Sequence, residues 1–368
     1  MLKYLLLLYR IDNISLVSFR NYEQAAFSFP RPVTGFCGNN GTGKTNLLDA
    51  IYYLCFTKSY FGKTDTQNTS HGKTGFRIEG QFTLKNQVYN TVAVLRENGK
   101  KEFGVNNEQY SRFAAHIGRF PCVVIAPDDT AIITEGSEER RKFMDYTISQ
   151  LSSSYLQTLI DYNKLLQQRN SMLKKWAETQ TMDESLMEII SGQLVAAGNI
   201  IFQKRKAFLD EFTPVAVALY NFISGGKERL ELRYQSHLAT ASFAGLLKAS
   251  RSKDIALQRT TCGIHRDDLE CRMNNELFRA TASQGQRKSL LFALKLAEFE
   301  LLLRHNQFPP ILLLDDVFEK LDEHRMKQLL YKVGVENKGQ VFITDTHCTR
   351  LEEALQTLSI DHTIINLQ

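Results

Sequence analysis

The octapeptide GNNGTGKT at residues 38–45 constrains the fold of this chain more than any other feature. It matches the phosphate-cradling pattern G-x-x-x-x-G-K-[ST], and it lies between an apolar run at residues 33–37 and a helix-like segment at residues 46–56. Glycines let the backbone curl around phosphate groups with its N–H groups pointing inward, and the helix that follows adds its positive N-terminal end. An ordinary glycine-rich turn would not need this strand and helix on either side. The sequence therefore predicts a nucleoside triphosphate site.

The residues of this loop have separate expected roles. Lys44 is expected to reach the β- and γ-phosphates, and the hydroxyl of Thr45 is expected to hold Mg²⁺. Asn39 and Asn40 are short polar residues that tolerate tight loop conformations between the glycines. The residues predicted to bind the nucleotide here are Gly38, Asn39, Asn40, Gly41, Thr42, Gly43, Lys44, Thr45 and Asn46.

Composition limits the class of protein without naming a partner. The 368 residues are 43% hydrophobic and 23% charged, as in an ordinary folded protein with two or three core-forming units. No apolar stretch approaches the roughly 20 residues that span a bilayer, so we expect no membrane embedding. The N-terminal decapeptide MLKYLLLLYR is too short for a secretory signal, and we interpret it as an extra first strand or a start-site extension.

Cysteine spacing and net charge add two weaker limits. The six cysteines are scattered without a C-x-x-C pair, which suits a reducing cytoplasm and argues against structural zinc. The formal net charge of +5 is a mild basic excess, compatible with nucleic acid and equally with no charged partner.

The first third of the chain has the pattern of a sheet interrupted by one helix. Strand patterns cover most of residues 11–107, with turns at Lys85-Asn86 and at Asn98-Gly99, and Asn-Gly is a strong hairpin signal. The run PCVVIAP at residues 121–127 has the continuous apolar character of a buried central strand.

A helical pattern then occupies residues 137 to about 225, with Pro214 as the only breaker. Its apolar residues recur at intervals of seven, which is compatible with a coiled coil. The companion positions become charged at Lys204 and Glu211, however, and this favours amphipathic helices that pack locally in a compact lobe. The residues in the seven-residue series are Met187, Leu194, Ile201, Phe208, Val215 and Phe222.

Strand patterns return at residues 311–314 and 341–344, with a strong helix at residues 285–304 between the lobe and these strands. We therefore predict an α/β domain built from both ends of the chain, with a helical lobe inserted in it. The predicted divisions are residues 1–135, the inserted lobe at 136–260, and the returning part at 261–368.

The segment ILLLDDVFEKLD at residues 311–322 supplies the expected second half of the nucleotide site. A buried strand that ends in carboxylates is the arrangement with which P-loop proteins hold Mg²⁺. We expect Asp315 to be the metal ligand and Asp316 to position or deprotonate the attacking water. Both residues could instead cap the next helix, but a phosphate-binding loop in the same chain favours the metal role.

A Ser-Gln-Gly-Gln turn opens the helix that precedes this strand. Locally Ser283 is a helix N-cap, and a helix N-terminus decorated with serine and glycine can also bind phosphate. Because the first loop of the same subunit already holds the nucleotide, the economical arrangement is a homodimer in which this turn contacts the γ-phosphate held by Lys44 of the other subunit. The residues assigned to this second contact are Ser283, Gln284, Gly285 and Gln286.

The order GNNGTGKT, SQGQ and LLLDDVFEKLD is similar to that of ATP-binding-cassette (ABC) ATPase heads. Three longer segments resemble one family in that class, the RecF family of bacterial recombination and repair proteins: residues 38–54, 126–145 and 263–270. The runs ERRKFMD (139–145) and HRDD (265–268) are the family-specific parts, and the resemblance extends from residue 11 to the C-terminus.

This resemblance implies a fold, a mechanism and partners. The fold would be a P-loop ABC-type ATPase head with an inserted, mainly helical lobe. The activity would be that of a cytoplasmic, weak DNA-dependent ATPase that binds ATP and Mg²⁺ and dimerises on gapped or single-strand/double-strand junction DNA. It would help load RecA with RecO and RecR. Slow hydrolysis would follow from Asp316, which stands where faster cassette ATPases carry the longer glutamate.

Some positions depart from the cassette pattern or leave alternatives open. His347 is displaced from the usual switch position, and Gln67 is a weak candidate for a glutamine that senses Mg²⁺. Arg140 and Arg141 could touch DNA or could pair with carboxylates that brace the lobe. The other basic residues that could touch DNA are Arg20, Lys58, Lys63, Lys73, Lys142, Lys204, Arg205 and Lys206.

Three other classes share part of the motif set. A transporter ATPase subunit should show a coupling surface for membrane partners, and the large inserted lobe and the family-specific runs argue against it. A chromosome-organising protein with long arms needs more chain between the loop and the SQGQ turn. A small-molecule P-loop kinase would be shorter and would lack that turn.

Overall fold

The computed structural model describes residues 8–62, 64–179, 181, 183–226, 228–316, 323–336 and 339–367, without the side chains of 323–326. Most of the N-terminal decapeptide, Lys63 and the end of the carboxylate segment at residues 317–322 lie outside this part. The chain divides into two compact units, one formed by residues 1–129 and 294–368 and the other by residues 130–293. The inserted unit therefore extends beyond the predicted limits of 136 and 260, because strands on both sides of residue 260 pair in one sheet.

The N-terminal part of the first unit contains eight strands and one long helix within the described residues. The elements are β1 (Tyr9–Phe19), β2 (Tyr22–Ser28), β3 (Val33–Cys37), α1 (Lys44–Phe56), β4 (Phe76–Leu84), β5 (Gln87–Leu95), β6 (Lys101–Val105), β7 (Glu108–Gln109) and β8 (Cys122–Ile125).

The second unit is mainly helical and has one small sheet, of order β11-β10-β9. Its last helix, α9, continues into the first unit. The elements are α2 (Ala131–Thr134), α3 (Ser137–Leu151), α4 (Ser153–Thr179), α5 (Glu184–Ser224), β9 (Leu230–Gln235), α6 (Phe243–Ala249), α7 (Arg251–Ala256), β10 (Asp268–Met273), β11 (Glu276–Leu277), α8 (Phe278–Thr281) and α9 (Gln284–Asn306).

The C-terminal part completes the first unit. It consists of β12 (Ile311–Leu314), α10 (Glu323–Leu330), a π-helical turn (Tyr331–Glu336), β13 (Val341–Asp345), α11 (Cys348–Thr357) and β14 (His362–Asn366).

Two sheets form the framework of the first unit. An antiparallel sheet of order β2-β1-β4-β5-β6-β7 confirms the predicted hairpins, with Lys85, Asn86 and Gly99 at positive φ in the turns. A parallel sheet of order β14-β3-β13-β12-β8 brings the carboxyl ends of β3, β13 and β12 to one edge. That edge is where ligands bind in open α/β sheets.

Two details of the parallel sheet differ from the sequence prediction. β8 is an edge strand of the described sheet and not a central one, because a continuous apolar run reports burial of both faces and not the order of strands. β14, which pairs with β3, was not predicted, because its five residues HTIIN are a short and mixed signal.

Helix α5 corrects one prediction and confirms another. It runs for 41 residues through Pro214, so this proline does not end it, although proline removes one backbone hydrogen bond. The buried face follows Leu194, Ile201 and Phe208 and then moves to Phe212, leaving Phe222 45% exposed. The buried face thus moves away from the seven-residue series along the helix, as it does in a straight helix of 3.6 residues per turn. A coiled coil would keep the series buried, so the prediction of local packing is confirmed.

By length and composition alone, α5 could also cross a bilayer, which corrects the expectation that no stretch is long and apolar enough. This is weak support for a membrane segment, since core helices pass the same test and α5 packs along α4 within the second unit.

The two family-specific runs meet inside the second unit. Arg140 makes paired hydrogen bonds to Asp268, at 2.6 and 3.1 Å. Arg205, which is 1% exposed, lies 2.9 Å from carboxylate oxygens of Asp145 and of Asp267. Burial opposes the charge of Arg205, but these carboxylates raise its pKa well above the ordinary value. Removing one partner of a buried pair leaves an uncompensated charge, so truncation of either arginine should destabilise the unit.

Candidate nucleotide-binding site

The loop between β3 and α1 has the backbone shape that a phosphate cradle requires. Gly38, Gly41 and Gly43 have φ values of 146°, 89° and 101°, all in the region that disfavours residues with a side chain. A Cβ at position 38 would lie 2.3 Å from the backbone oxygen of Leu367, just after β14. The loop is therefore fixed by close backbone approach at its start and by glycine geometry along its length.

Lys44 lies across this loop. Its ammonium donates to the backbone oxygens of Gly38 and Asn39 at 2.8 and 3.0 Å, and the residue is 4% exposed. The hydroxyl of Thr42 also donates to the Asn39 oxygen, at 3.0 Å. Two backbone oxygens thus hold the predicted lysine against the loop, and we expect its charge to reach a phosphate that binds there.

Two residues that sequence reasoning missed brace the loop: Asn21 in the turn between β1 and β2, and Tyr22 at the start of β2. The side chain of Asn21 donates to the Thr42 oxygen at 3.1 Å and accepts from the Asn46 amide at 2.8 Å. The hydroxyl of Tyr22 donates to the Gly43 oxygen at 3.1 Å. Nothing local in the sequence pointed to these contacts, since the turn lies about twenty residues before the loop.

The carboxylate predicted to hold the metal lies beside the loop. The Thr45 hydroxyl is 2.9 and 3.1 Å from the two carboxylate oxygens of Asp315, and the Thr344 hydroxyl is 2.9 Å from one of them. Burial raises the pKa of Asp315 and outweighs the hydrogen bonds from both hydroxyls, which lower it, so that the resulting pKa is about 6. Sheet order explains the meeting, because β13 separates β3 from β12 and all three end at one edge.

Asp316 follows in an unusual backbone conformation. Its φ is 44°, its N–H donates to the Thr344 hydroxyl at 2.8 Å, and its carboxylate lies 3.4 Å from that hydroxyl. The alternative in which the two aspartates cap the next helix falls on residues 317–322, outside the described part of the chain.

The SQGQ turn forms an N-cap with reciprocal bonds in the second unit. The N–H of Gln286 donates to the Ser283 hydroxyl at 3.2 Å, and the N–H of Ser283 donates to the Gln286 side chain at 2.6 Å. These bonds form a capping box. Gln286 also donates to Glu228 at 2.6 Å, whereas Ser283 and Gln284 are exposed. The N-cap prediction is confirmed, and the serine is accessible to another molecule.

The two weaker candidates, Gln67 and His347, make local contacts in the structure. Gln67 accepts from the N–H of Thr64 in a capping box. His347 is exposed at the N-cap position of α11, and its N–H donates to Asp345, which also pairs with Arg350, both at 2.8 Å.

Several of the basic residues considered for DNA are engaged inside the protein. Arg20 is 3.2 Å from the buried carboxylate of Asp49, and Arg205 lies in the buried network described above. Arg140 pairs with the Asp268 carboxylate, as the bracing alternative predicts, whereas Arg141 donates to the Asp267 backbone oxygen and to the Ser137 hydroxyl. The other described basic candidates are exposed: Lys58, Lys73, Lys142, Lys204 and Lys206.

The glycine-lined loop, the carboxylate-ended strand beside it and the capped helix on an inserted helical unit define an ABC-type ATPase head. Residues 10–364 match the family model for the RecF/RecN/SMC N-terminal domain. The chain is 42% identical to a DNA replication and repair protein RecF of Flavobacterium johnsoniae, over 97% of this chain and 99% of that protein. The RecF of Bacteroides thetaiotaomicron is 40% identical, over 97% and 96%. The chain therefore belongs to the RecF family of DNA replication and repair proteins.

Solved structures agree with this assignment. The recombination mediator protein RecF-ATP in the RecFOR pathway matches with a TM-score of 0.85 and 30% identity, over 92% of each chain. An Smc head domain from Pyrococcus furiosus matches with a TM-score of 0.58 and 13% identity, over 98% of this chain and 94% of that one. The second likeness shows the shared fold alone.

The raised pKa of Asp315 predicts a pH dependence of metal binding. Below pH 6 this carboxyl holds its proton in the folded protein, and if Asp315 is the predicted metal ligand, Mg²⁺ would have to displace that proton to bind. The apparent Mg²⁺ affinity in the presence of nucleotide should fall about tenfold per pH unit below pH 6 and level off above pH 7. Calorimetric titration between pH 5 and 8 measures this. Asp315→Asn should remove the inflection, and an inflection that persists in this variant would assign it to another group.

Proposed function

We propose that this protein is an ATP-dependent DNA-binding protein of recombinational repair and replication restart. ATP binding drives its dimerisation on gapped or single-strand/double-strand junction DNA, where it helps RecO and RecR to load RecA. Slow ATP hydrolysis then releases the dimer. The protein is thus a weak DNA-dependent ATPase that acts as a switch, and it works in the cytoplasm.

One observation carries the dimer mechanism: the SQGQ turn presents an exposed serine at the N-terminus of a 23-residue helix. The positive end of a helix and its first N–H groups favour a phosphate. The loop around Lys44 already supplies one phosphate cradle, so a second one on the same chain has a use if it serves the nucleotide of another subunit. The reciprocal arrangement in a two-fold dimer gives two such composite sites.

The residues beside the loop fit Mg²⁺. The Thr45 hydroxyl and the Asp315 carboxylate are hard oxygen donors 2.9 Å apart, the ligand type that this ion prefers. When bound, Mg²⁺ would neutralise charge on the β- and γ-phosphates. Lys44 would bind and orient the same phosphates, and Asp316 would orient the water. An aspartate reaches less far than a glutamate, which accounts for slow turnover.

The relatives support the choice of ATP and partners. A structure of a RecF at 30% identity is that of RecF-ATP in the RecFOR pathway, which favours ATP as the nucleotide and RecO and RecR as partners of this chain. No feature of the described residues favours a transporter ATPase subunit or a chromosome protein with long arms.

DNA contact is assigned to the exposed lysines and not to the arginines that are held in the second unit. Lys58, Lys73, Lys204 and Lys206 are exposed and can neutralise backbone phosphates without sequence preference.

Titration of gapped, duplex and single-stranded DNA with Mg²⁺-ATP tests the proposed function. We expect gapped DNA to bind at least about tenfold more tightly with ATP than without it. Equal affinity with and without ATP would contradict ATP-dependent binding.

Replacing the water-orienting carboxylate should separate binding from turnover. Asp316→Asn should bind ATP and dimerise like the wild type, with ATP turnover reduced at least about a hundredfold, because an amide cannot accept a proton from water. Steady-state turnover, with dimer mass measured on the same samples, is the test. Asp361→Asn serves as the control, because this exposed aspartate contacts Arg31 at 3.3 Å just before β14 and β3 begin, at the opposite end of these strands from the loop. Unchanged hydrolysis in Asp316→Asn would remove this residue from the catalytic set.

A further inference from the structure

A threonine that no sequence motif pointed to lies between the two carboxylates. Thr344 is the fourth residue of β13, and its side chain is 0% exposed. In the parallel pairing of β12 with β13, Leu314 is the partner of Ile343. Asp315 and Thr344 are therefore the next residues of the two strands, and the sheet itself sets them side by side.

The Thr344 hydroxyl has a donor and an acceptor role at once. It donates to a carboxylate oxygen of Asp315 at 2.9 Å and accepts from the N–H of Asp316 at 2.8 Å. It also lies 3.4 Å from a carboxylate oxygen of Asp316. A single hydroxyl thus fixes the direction of one carboxylate and the backbone that carries the other.

The backbone at Asp316 needs such a partner. A φ of 44° is costly for a residue other than glycine, and it persists only where surrounding contacts hold it. The bond from its N–H to Thr344 is one of these contacts. Because the conformation of Asp316 sets the direction of its side chain, the hydroxyl of Thr344 acts on both aspartates.

We propose that Thr344 is a positioning residue of the nucleotide site, whose hydroxyl holds Asp315 and Asp316 in the arrangement that Mg²⁺ and the attacking water require. This inference rests on the function proposed above. Thr45 also donates to Asp315, but its hydroxyl is an expected metal ligand and would turn toward Mg²⁺. Thr344 is then the hydroxyl that keeps Asp315 in place while the metal is bound, as groups behind a metal ligand do.

The chain offers a matched control for the loss of this hydroxyl. Thr34 lies on β3 in the same sheet and is also 0% exposed, but its hydroxyl has no hydrogen-bond partner among the described residues. Threonine and valine have nearly the same volume. Thr344→Val and Thr34→Val are therefore the same substitution in the same sheet, and they differ in the bonds that are lost.

The experiment compares the wild type, Thr344→Val, Thr344→Ser and Thr34→Val. The measurements are ATP turnover at saturating Mg²⁺-ATP, the Mg²⁺ concentration that half-saturates ATP binding in calorimetry, and thermal unfolding without nucleotide. Thr344→Val should lower kcat and raise the Mg²⁺ requirement, each by about tenfold or more, with the KM for ATP within about threefold. Thr344→Ser keeps the hydroxyl and should stay within about threefold of the wild type, as should Thr34→Val.

The outcomes separate this inference from the proposed function. Thr344→Val within twofold of the wild type in both turnover and Mg²⁺ requirement would overturn the inference. So would an equal loss in Thr344→Ser or in Thr34→Val, since packing would then explain it. If the wild type binds ATP but does not hydrolyse it, the hydrolytic step proposed above is wrong. The role of Thr344 is then tested by whether Thr344→Val needs more Mg²⁺ than the wild type to half-saturate ATP binding. If Thr344→Val does not fold, Thr344→Cys is measured with the same expected direction.

Discussion

Lys44→Ala should weaken ATP binding by about a hundredfold or more. The Lys44 ammonium lies against the loop, with bonds of 2.8 and 3.0 Å to the backbone oxygens of Gly38 and Asn39. Hydrogen bonds from this ammonium to the phosphates of ATP should contribute roughly 1.5–3 kcal/mol each to binding. A loss of about 2.7 kcal/mol corresponds to a hundredfold weaker affinity. Calorimetric titration with ATP and Mg²⁺ measures the effect.

The matched control is Lys100→Ala, because Lys100 is an exposed lysine in the hairpin between β5 and β6, with its side chain 69% exposed. Its ATP affinity should equal that of the wild type. Thermal unfolding without nucleotide separates lost binding from lost structure in Lys44→Ala. Tight ATP binding in a folded Lys44→Ala protein would reject the assigned phosphate cradle.

Ser283→Arg should retain ATP binding by the monomer and lose ATP-driven dimerisation. The serine is exposed at the helix N-terminus, and a long side chain there would occupy the space of the partner's γ-phosphate. We expect ATP affinity within about threefold of the wild type, and a dimer dissociation constant raised at least about a hundredfold, equivalent to about 2.7 kcal/mol. Sedimentation of the variant with Mg²⁺-ATP over a range of protein concentrations measures both states.

Ser242→Arg provides the control for the lost cap. Ser242 is another exposed N-cap in the second unit, and its hydroxyl accepts from the N–H of Gly245 at 3.2 Å. Loss of such a cap costs about 1 kcal/mol of stability in either variant. Ser242→Arg should dimerise normally. A normal dimer of Ser283→Arg would show that the SQGQ turn does not contact the partner's nucleotide.

The parts of the site that the sequence predicted are those with local signals. Lys44 and Thr45 stand in a motif whose spacing reflects backbone geometry, and Asp315 follows an apolar strand. Ser283 and Gln286 have the spacing of a capping box. Each of these signals is contained in a few neighbouring residues, so a single sequence reveals it.

The residues that were missed depend on contacts between distant parts of the chain. Asn21 meets the loop because β1 and β2 lie beside it, and Thr344 meets Asp315 because β13 lies between β3 and β12. The local sequence of a strand does not show which other strands lie beside it in the sheet. The same limit explains why β8 was expected in the centre of the sheet, whereas β14 was overlooked because its five residues are a short and mixed signal.

The errors in the helical unit have a different physical origin. Pro214 was expected to break a helix, because proline within a helix costs about 3 kcal/mol. The 41-residue helix continues through it, because packing of its buried face on both sides of Pro214 offsets this cost. Tertiary packing overrides local propensity where the buried face is long. Likewise, Arg205 was considered for DNA contact because of its charge, but its carboxylate partners Asp145 and Asp267 allow it to be buried.

The central claim is that ATP joins two copies of this chain through composite sites. The most direct test is the molar mass of the wild-type protein by light scattering after gel filtration, without nucleotide, with Mg²⁺-ADP and with Mg²⁺-ATP. We predict a monomer in the first two conditions and a dimer in the third, with the dimer absent for Ser283→Arg. A wild-type protein that binds ATP, as calorimetry would show, and still elutes with monomer mass would contradict the account.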